Sequence, residues 1–133
     1  MKVALVGSRT YENKRKIKET IYKLKNKHTD LTIVSGGCKD GADKYAKKYA
    51  LELDCQYLEF NPAHTPKNLY SALHENFYAK AYNVKNFFVR NSMIAKYVDC
   101  MIAFIDDKDT AARGTYNAIK EAKKYDKKVV IIS

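Results

Sequence analysis

Three short segments of this 133-residue sequence carry the residue types that bind phosphate groups. They are Gly7-Ser8-Arg9, Ser35-Gly36-Gly37 with Gly41-Ala42-Asp43, and Arg113-Gly114-Thr115. Glycine allows a close backbone approach, a hydroxyl group can donate a hydrogen bond, and an arginine can bind two phosphate oxygens at once. Each segment alone could also be an ordinary turn or helix cap. Together they predict an anion site, provided that the fold brings them to one place.

Two further side chains could take part in such a site. Asp43 lies near a predicted helix N-terminus, where it is either a partner of the helix dipole or an acceptor for a ribose hydroxyl or for the first segment. Arg90 and the adjacent Asn91 lie in a predicted helix among apolar neighbours, namely Phe87, Phe88, Val89, Met93 and Ile94. That setting favours a place for Arg90 in a crevice over a surface salt bridge.

The hydrophobic pattern predicts the elements that position these residues. Short apolar and β-branched runs predict strands at 2–6, 31–35, 55–60, 99–105 and 128–132. Helical spacing of apolar residues predicts helices over 13–27, 42–53, 87–97 and 116–125, and a weaker pattern predicts a short helix over 69–82. Residues 61–67, with two prolines, and the polar segment 106–113 are predicted loops.

Strands that alternate with helices predict right-handed βαβ units and a parallel sheet. We therefore expect a single α/β domain over 1–133, a Rossmann-like three-layer sandwich with a mainly parallel five-stranded sheet in the order 3-2-1-4-5. In such a sheet a ligand binds beyond the carboxyl ends of the strands, where the strand order reverses. The segments that follow strands one, two and four would meet there.

Composition limits the classes of function. Hydrophobic residues make up 46% of the chain, as in globular domains, and the formal net charge is +10 at pH 7. This charge indicates a polyanionic partner, either nucleic acid or a small phosphorylated ligand. Because the lysines are spread over several predicted helices, we favour solvated helix faces over a nucleic-acid groove. There is no apolar run of the roughly 20 residues that span a bilayer and no signal-peptide pattern, so a cytoplasmic location is expected.

The cysteines and histidines lack the spacing of a metal site or a catalytic triad. Cys38, Cys55 and Cys100 are predicted to be free thiols in a reducing compartment. The histidines are predicted surface residues, although two of them could line a ligand entrance, namely His64 and His74. We therefore expect neither a metal ion nor a cofactor.

Four runs of sequence, in order, resemble the SLOG superfamily and, within it, the small YspA-like proteins common in bacteria and their phages. The runs are VALVGSR, VSGGCKDGADKYA, VRNSMIAKYVDCMIAF and RGTYNAIKEA. The resemblance covers nearly the whole chain and implies a Rossmann-like domain that binds nucleotides or nucleotide derivatives. Relatives include the cytokinin-activating LOG phosphoribohydrolases, the DNA-processing protein DprA, and sensor domains that bind nucleotide signals in bacterial immunity.

The resemblance also implies roles for individual residues. Gly7, Ser8 and Arg9 match a phosphate or base contact in the first loop, and Gly114 and Thr115 match a phosphate-binding glycine-threonine pair. Arg90 lies where LOG enzymes have their catalytic arginine. The second-loop segment is matched by Ser35, Gly36, Gly37, Gly41 and Asp43.

One position departs from the LOG pattern. The glutamate that ends the LOG motif P-G-G-x-G-T-x-x-E is replaced by Ala118, and Glu121 lies one helical turn later. In LOG enzymes that carboxylate would stabilise an oxocarbenium-like centre or activate water. Because alanine stands at this position, we expect a binding protein that senses or sequesters a nucleotide-derived molecule, such as a signalling nucleotide. The alternatives are a LOG-like hydrolase of a nucleotide N-glycosidic bond that uses Arg90 and another carboxylate and, less favoured, a DprA-like nucleic-acid binder. A homo-oligomer, as in LOG relatives, is a further expectation.

Overall fold

The computed structural model describes residues 1–107 and 113–133. Its strands are β1 (Lys2–Gly7), β2 (Thr32–Ser35), β3 (Gln56–Glu59), β4 (Cys100–Phe104) and β5 (Lys128–Ile132). Its α-helices are α1 (Lys14–Lys27), α2 (Gly41–Glu52), α3 (Lys85–Tyr97) and α4 (Arg113–Lys124). These elements match the predicted strands and the four strongly patterned helices, with shifted ends.

The strands form one parallel sheet in the order β3-β2-β1-β4-β5, so the predicted Rossmann-like α/β fold is confirmed. The strand order reverses at β1, which lies between β2 and β4. In the β1–β4 register Val3 pairs with Cys100 and Gly7 with Phe104. The carboxyl ends of these central strands therefore open at the same sheet edge.

Strand β1 contributes to both hydrophobic cores. Val3 and Leu5 pack in the core beneath α1 and α2, and Ala4 and Val6 pack in the core beneath α3 and α4. This division follows from the two-residue period of a strand, which points successive side chains to opposite faces. The molecule therefore has three layers with β1 at the centre.

The first helix shows how local sequence sets an element. The Asn13 side chain accepts a hydrogen bond from the backbone N–H of Lys16 at 3.3 Å, which caps the helix N-terminus. Ile17 and Ile21, one turn apart, are fully buried, while the lysines of α1 lie on its other faces. The position of α1 is thus fixed by its apolar face.

The predicted helix over 69–82 is wrong. This segment has a single 3-10 turn at Glu75–Phe77 and an isolated parallel bridge from Ser71 to Glu59, and is otherwise irregular. Its polar side chains bond nearby backbone N–H groups, since Asn68 Oδ1 accepts from Tyr70 and His74 Nδ1 accepts from Asn76. Such local bonds offer the backbone an alternative to helical hydrogen bonds.

Two further predictions concern the polar loop after β4 and the absence of a membrane-spanning segment. The loop predicted over 106–113 is described only at Asp106, Asp107 and Arg113, and its other residues lie outside the described part of the chain. Within the described ranges, no helix has the length and apolar character needed to cross a membrane.

Candidate binding cavity

The three glycine-bearing segments meet at one cavity of about 540 Å³, beyond the carboxyl ends of β1 and β4. The first segment, the second segment, α3 and the start of α4 all contribute to its wall. The lining residues are Val6, Gly7, Ser8, Arg9, Thr10, Gly36, Cys38, Asp43, Val84, Phe87, Phe88, Arg90, Asn91, Ile94, Arg113, Gly114, Thr115 and Ala118. The fold thus brings together segments that are more than a hundred residues apart in the chain.

The first segment is held tightly against β4. A Cβ atom at Gly7 would lie 2.2 Å from the carbonyl oxygen of Phe104, so this strand end requires glycine. Ser8 is buried, and its Oγ accepts a hydrogen bond from the Asp106 N–H at 3.1 Å. Ser8 also lines the cavity, and its hydroxyl group is a hydrogen-bond donor as well as an acceptor. Arg9 follows on the exposed rim.

Arg90 projects from α3 to the second segment. Its Nη1 donates to the carbonyl oxygens of Gly36 at 2.6 Å and Phe60 at 3.3 Å. A Cβ atom at Gly36 would lie 2.3 Å from Nη1, so glycine is needed to admit the guanidinium group. Nε of Arg90 is buried without a hydrogen-bond partner among the described residues. Arg90 thus lies in the crevice at the sheet edge, where it was expected.

The charges around Arg90 partly oppose its ionisation. Burial lowers the pKa of Arg90, the nearby Asp43 and Cys38 raise it, and Arg9 lowers it again. The influence of Arg9 shows that two guanidinium groups repel each other across this cavity. An anion between them would relieve that repulsion.

Asp43 is a buried carboxylate in the first turn of α2. Its Oδ2 accepts a hydrogen bond from the Cys38 N–H at 3.1 Å, so its loop partner belongs to the second segment and not to the first. Burial raises the pKa of Asp43 to about 6, against the opposing effects of Arg90 and of the Cys38 hydrogen bond. Its position in the first turn also satisfies the helix-dipole interpretation.

The start of α4 forms a further part of the cavity wall. Apart from its chain neighbours and its own helix backbone, no atom of the described residues lies within 4 Å of the Cβ position of Gly114, which borders the cavity. Asn91 is buried and its Nδ2 donates to the Gly114 carbonyl at 3.2 Å and to Asn117 Oδ1 at 3.0 Å. This bonding fixes the N-terminus of α4, where backbone N–H groups of the first turn and the Thr115 hydroxyl can bind an anion.

Three of the predicted site residues lie behind the cavity wall and do not line it. Ser35 is fully buried, and its Oγ bonds the Tyr57 hydroxyl at 2.6 Å and accepts from the Gly37 N–H at 3.2 Å. Gly37 and Gly41 both adopt positive φ, at 75° and 66°. They shape the second segment, since a Cβ atom at Gly41 would lie 2.2 Å from the Ser8 carbonyl oxygen.

Sequence reasoning did not single out a buried carboxylate that supports the second segment. Glu59, 2% exposed, accepts hydrogen bonds from Tyr57, Asn61 and Asn68 at 2.7–3.0 Å, and Lys47 lies 3.3 Å from it. Burial alone would raise the pKa of Glu59, but these donors outweigh it and lower the pKa. The signal was the pair Tyr57 and Glu59, two polar residues on one face of the predicted third strand.

Sequence reasoning also did not assign an apolar wall on α3 to the site. Phe87 and Phe88 line the cavity together with Val84 and Ile94. The Phe87 ring centroid lies 5.8 Å from Cζ of Arg90 and 5.0 Å from the His64 ring. The cavity thus combines basic and aromatic side chains, and Arg90 lies beside Phe87.

The other histidines lie away from the cavity. His28 caps the end of α1, and His74 caps the 3-10 turn. Among the residues that the structure describes, no cluster of histidine, cysteine, aspartate and glutamate could hold a metal ion.

A parallel sheet in the order 3-2-1-4-5, with glycine-bearing loops around a basic cavity at its carboxyl edge, defines a Rossmann-like domain. Residues 1–65, just under half of the chain, match the YspA, cpYpsA-related SLOG family, abbreviated YAcAr. The resemblance to the SLOG superfamily and its YspA-like branch is therefore confirmed. No curated protein matches the sequence.

Solved structures of distant proteins share the fold. DNA processing protein A from Helicobacter pylori, described with its single-stranded DNA binding mode, matches with a TM-score of 0.72 and 22% identity over 98% of this chain and 64% of that one. The molybdenum cofactor binding protein from Rippkaea orientalis matches with a TM-score of 0.68 and 17% identity, over 98% and 74% of the two chains. The molybdenum cofactor carrier protein from Chlamydomonas reinhardtii matches with a TM-score of 0.61 and 15% identity, over 98% of this chain and 75% of that one. This chain therefore spans less than two thirds of the H. pylori protein.

Proposed function

We propose that this protein binds a nucleotide or nucleotide-derived ligand in the cavity at the carboxyl edge of its sheet, and thereby senses or sequesters it. One observation carries the proposal: Arg9, Arg90 and Arg113 line a single cavity, and none of them forms an ion pair within the described ranges. Asp43 is the one carboxylate among the described lining residues. The resulting positive charge favours a phosphate group.

The shape of the cavity supports a ligand with an aromatic part as well as a phosphate. Phe87 and Phe88 offer apolar surface in the same cavity as the Gly7 segment and the start of α4. Aromatic side chains stack on nucleobases, whereas a sugar phosphate would leave such a wall without a partner. A volume of about 540 Å³ lies in the range of small-molecule sites.

The comparisons support a small-molecule binding function. Two of the similar structures are named as binding or carrier proteins for the molybdenum cofactor, which is a small molecule. A binding protein without catalysis is therefore a reasonable expectation for this fold.

The test is incubation with a panel of purine and pyrimidine nucleotides, followed by isothermal titration and chromatography of the recovered ligand. We expect saturable binding of at least one nucleotide, recovered unchanged after the protein is denatured. Binding of inorganic phosphate without preference for any nucleotide would contradict the proposal. Mass spectrometry of molecules that copurify with the protein would identify the natural ligand.

A hydrolase is the second candidate, favoured by the position and protonation of Asp43. A carboxyl group with a pKa of about 6 lies close to Arg90 and can accept or donate a proton near neutral pH. Against it, Ala118 lines the cavity where LOG enzymes have their glutamate. Glu121 is not among the described lining residues. Free base or ribose phosphate in the panel experiment would favour this enzyme.

Nucleic-acid binding is the third candidate, and the structural likeness to the H. pylori protein favours it. The basic residues of α1 would supply the charge, and affinity for oligonucleotides would then fall steeply with added salt. A protein that binds mononucleotides but leaves a fluorescein-labelled oligonucleotide unbound in 50 mM salt would exclude it.

A cytoplasmic location and a homo-oligomeric state are also part of the proposal. All three cysteines are free thiols, which suits the reducing cytoplasm. Exposed apolar residues on α3, Phe88 and Val89, suit the expected homo-oligomer. Light scattering during size-exclusion chromatography measures the oligomeric state directly.

A further inference from the structure

Cys38 differs from the other two cysteines in its surroundings. It lines the cavity beside Asp43 and Arg90, and it is half-buried. Its thiol is close enough to Arg90 to influence the ionisation of the guanidinium group. Cys55 and Cys100 lie outside this cavity and pack against the core beneath α1 and α2.

Burial makes the thiols of Cys55 and Cys100 poor nucleophiles. Burial raises the pKa of Cys55, Lys25 offsets part of this rise, and Asp54 adds to it. Burial and Asp99 raise the pKa of Cys100 against the opposing effect of Lys128. Because the thiolate is the reactive form, both groups should react slowly at neutral pH.

The surroundings of Cys38 are built for an anion. Arg90, on the same wall, has a buried Nε without a partner in the described part of the chain. Arg9 adds a second guanidinium group to the cavity, and Asp43 offsets only part of this charge. A positive cavity raises the local concentration of small anions, including anionic electrophiles.

We propose that Cys38 is a covalent modification site, reached by small anionic electrophiles that enter the cavity, and that its modification closes the cavity to other ligands. The modification site goes beyond the proposed nucleotide binding and does not depend on it. With iodoacetate, the Cys38 sulfur forms a new bond to carbon, iodide leaves, and the thiol proton passes to solvent. The added carboxylate then lies beside the guanidinium groups and takes the place of an anionic ligand.

The first experiment compares iodoacetate with neutral iodoacetamide at pH 7.5, with labelling measured at each cysteine by peptide mass spectrometry. We expect Cys38 to be labelled first, and its rate ratio of iodoacetate to iodoacetamide to exceed that of Cys55 by about tenfold or more. The Cys38→Ser variant should lose the fast adduct, and Cys55→Ser and Cys100→Ser should keep it. Faster labelling of Cys55 or Cys100, or equal rate ratios at Cys38 and Cys55, would overturn the proposal.

The second experiment separates this proposal from the proposed function. Iodoacetate-treated protein should bind AMP at least tenfold more weakly than untreated protein, and treated Cys38→Ser protein should bind as its untreated form does. Unchanged AMP affinity after full labelling of Cys38 would overturn the closure of the cavity. If instead the untreated protein binds no nucleotide while Cys38 still shows the raised rate ratio, the modification site stands and the nucleotide proposal fails.

Discussion

At the scale of single residues, the site depends on charges that are only partly compensated. Arg90 is anchored by two carbonyl groups and still has a buried, unpartnered Nε. Asp43 is buried next to it, at a distance at which their charges interact. Buried charges are costly unless they are paired, so both residues should respond strongly to an anionic ligand.

The first prediction concerns the guanidinium groups of the cavity. Arg9→Ala and Arg90→Ala should each weaken AMP binding by about tenfold or more, because each removes a charge-assisted hydrogen bond. Arg9→Ala should leave the melting temperature nearly unchanged, whereas Arg90→Ala should cost about 1–2 kcal/mol since two carbonyl groups lose their donor. Isothermal titration and thermal unfolding measure both effects.

Arg15→Ala is the matched control, because it removes the same charge from an exposed position on α1. Its AMP affinity should equal that of the unmodified protein. Ligand-induced stabilisation that survives in both cavity variants would show that the ligand binds elsewhere.

The second prediction concerns the pH dependence contributed by Asp43. Its pKa in the folded protein, about 6, exceeds the ordinary value of 3.8, so the folded state holds the proton more tightly. This stabilisation is fully present below about pH 4 and is lost as pH rises through about 6. Asp43→Asn should therefore unfold less readily than the unmodified protein at pH 7.5, by up to about 3 kcal/mol, and show little gain at pH 4.

Urea unfolding of both proteins from pH 4 to pH 8 measures this difference. All other titrating groups are common to the two proteins and largely cancel. A difference in the free energy of unfolding that is constant across this range would mean that Asp43 does not titrate as described.

At the scale of elements, the loops that follow the strands set the geometry of the cavity. The glycines of these loops have different structural roles. Gly41 has a φ of 66° and adjoins the first segment, whereas Gly114 lies in open space at the start of α4. Both glycines were predicted as one kind of ligand-binding residue. The structure separates a residue that shapes the backbone from one that borders the cavity.

The third prediction compares these two positions. Gly41→Ala should destabilise the protein by about 1–2 kcal/mol from its left-handed conformation alone, and more because its Cβ would meet the Ser8 carbonyl oxygen at 2.2 Å. Gly114→Ala should be neutral or stabilise by up to about 1 kcal/mol, because alanine favours a helix. Urea unfolding measures both, and similar losses at the two positions would contradict this distinction.

Sequence was sufficient for the features that depend on local pattern and chain order. Alternating periods gave the elements, and right-handed parallel topology placed Arg9, Gly36 and Thr115 at one edge. The prediction of a helix over 69–82 failed because side chains such as those of Asn68 and His74 accept hydrogen bonds from backbone N–H groups two residues further on. The role of Glu59 also depends on partners from two other parts of the chain, Lys47 and Asn68, which no local pattern reveals.

At the scale of the whole molecule, the two helical layers share a single central strand. Val3 and Leu5 of β1 pack under α1 and α2, and Ala4 and Val6 pack under α3 and α4. Neither layer can lose its packing without exposing one side of β1. The domain should therefore unfold in one cooperative step.

The fourth prediction tests that cooperativity. Ile21→Val in α1 and Ile94→Val in α3 should each lower the free energy of unfolding by about 1 kcal/mol. Each change should also speed the exchange of the slowest amide hydrogens in both layers by the same factor, about fivefold. Hydrogen exchange read by mass spectrometry measures this. Faster exchange confined to the layer that carries the substitution would show that the layers open separately.

The shared strand also constrains insertion and deletion. Because odd-numbered positions of β1 face one core and even-numbered positions face the other, loss of one residue between Val3 and Val6 would turn the following side chains over. Leu5 and Val6 would exchange cores, and Gly7 would no longer fall where the Phe104 carbonyl excludes a side chain. The strand should therefore accept a change of apolar side chain far more readily than a change of length.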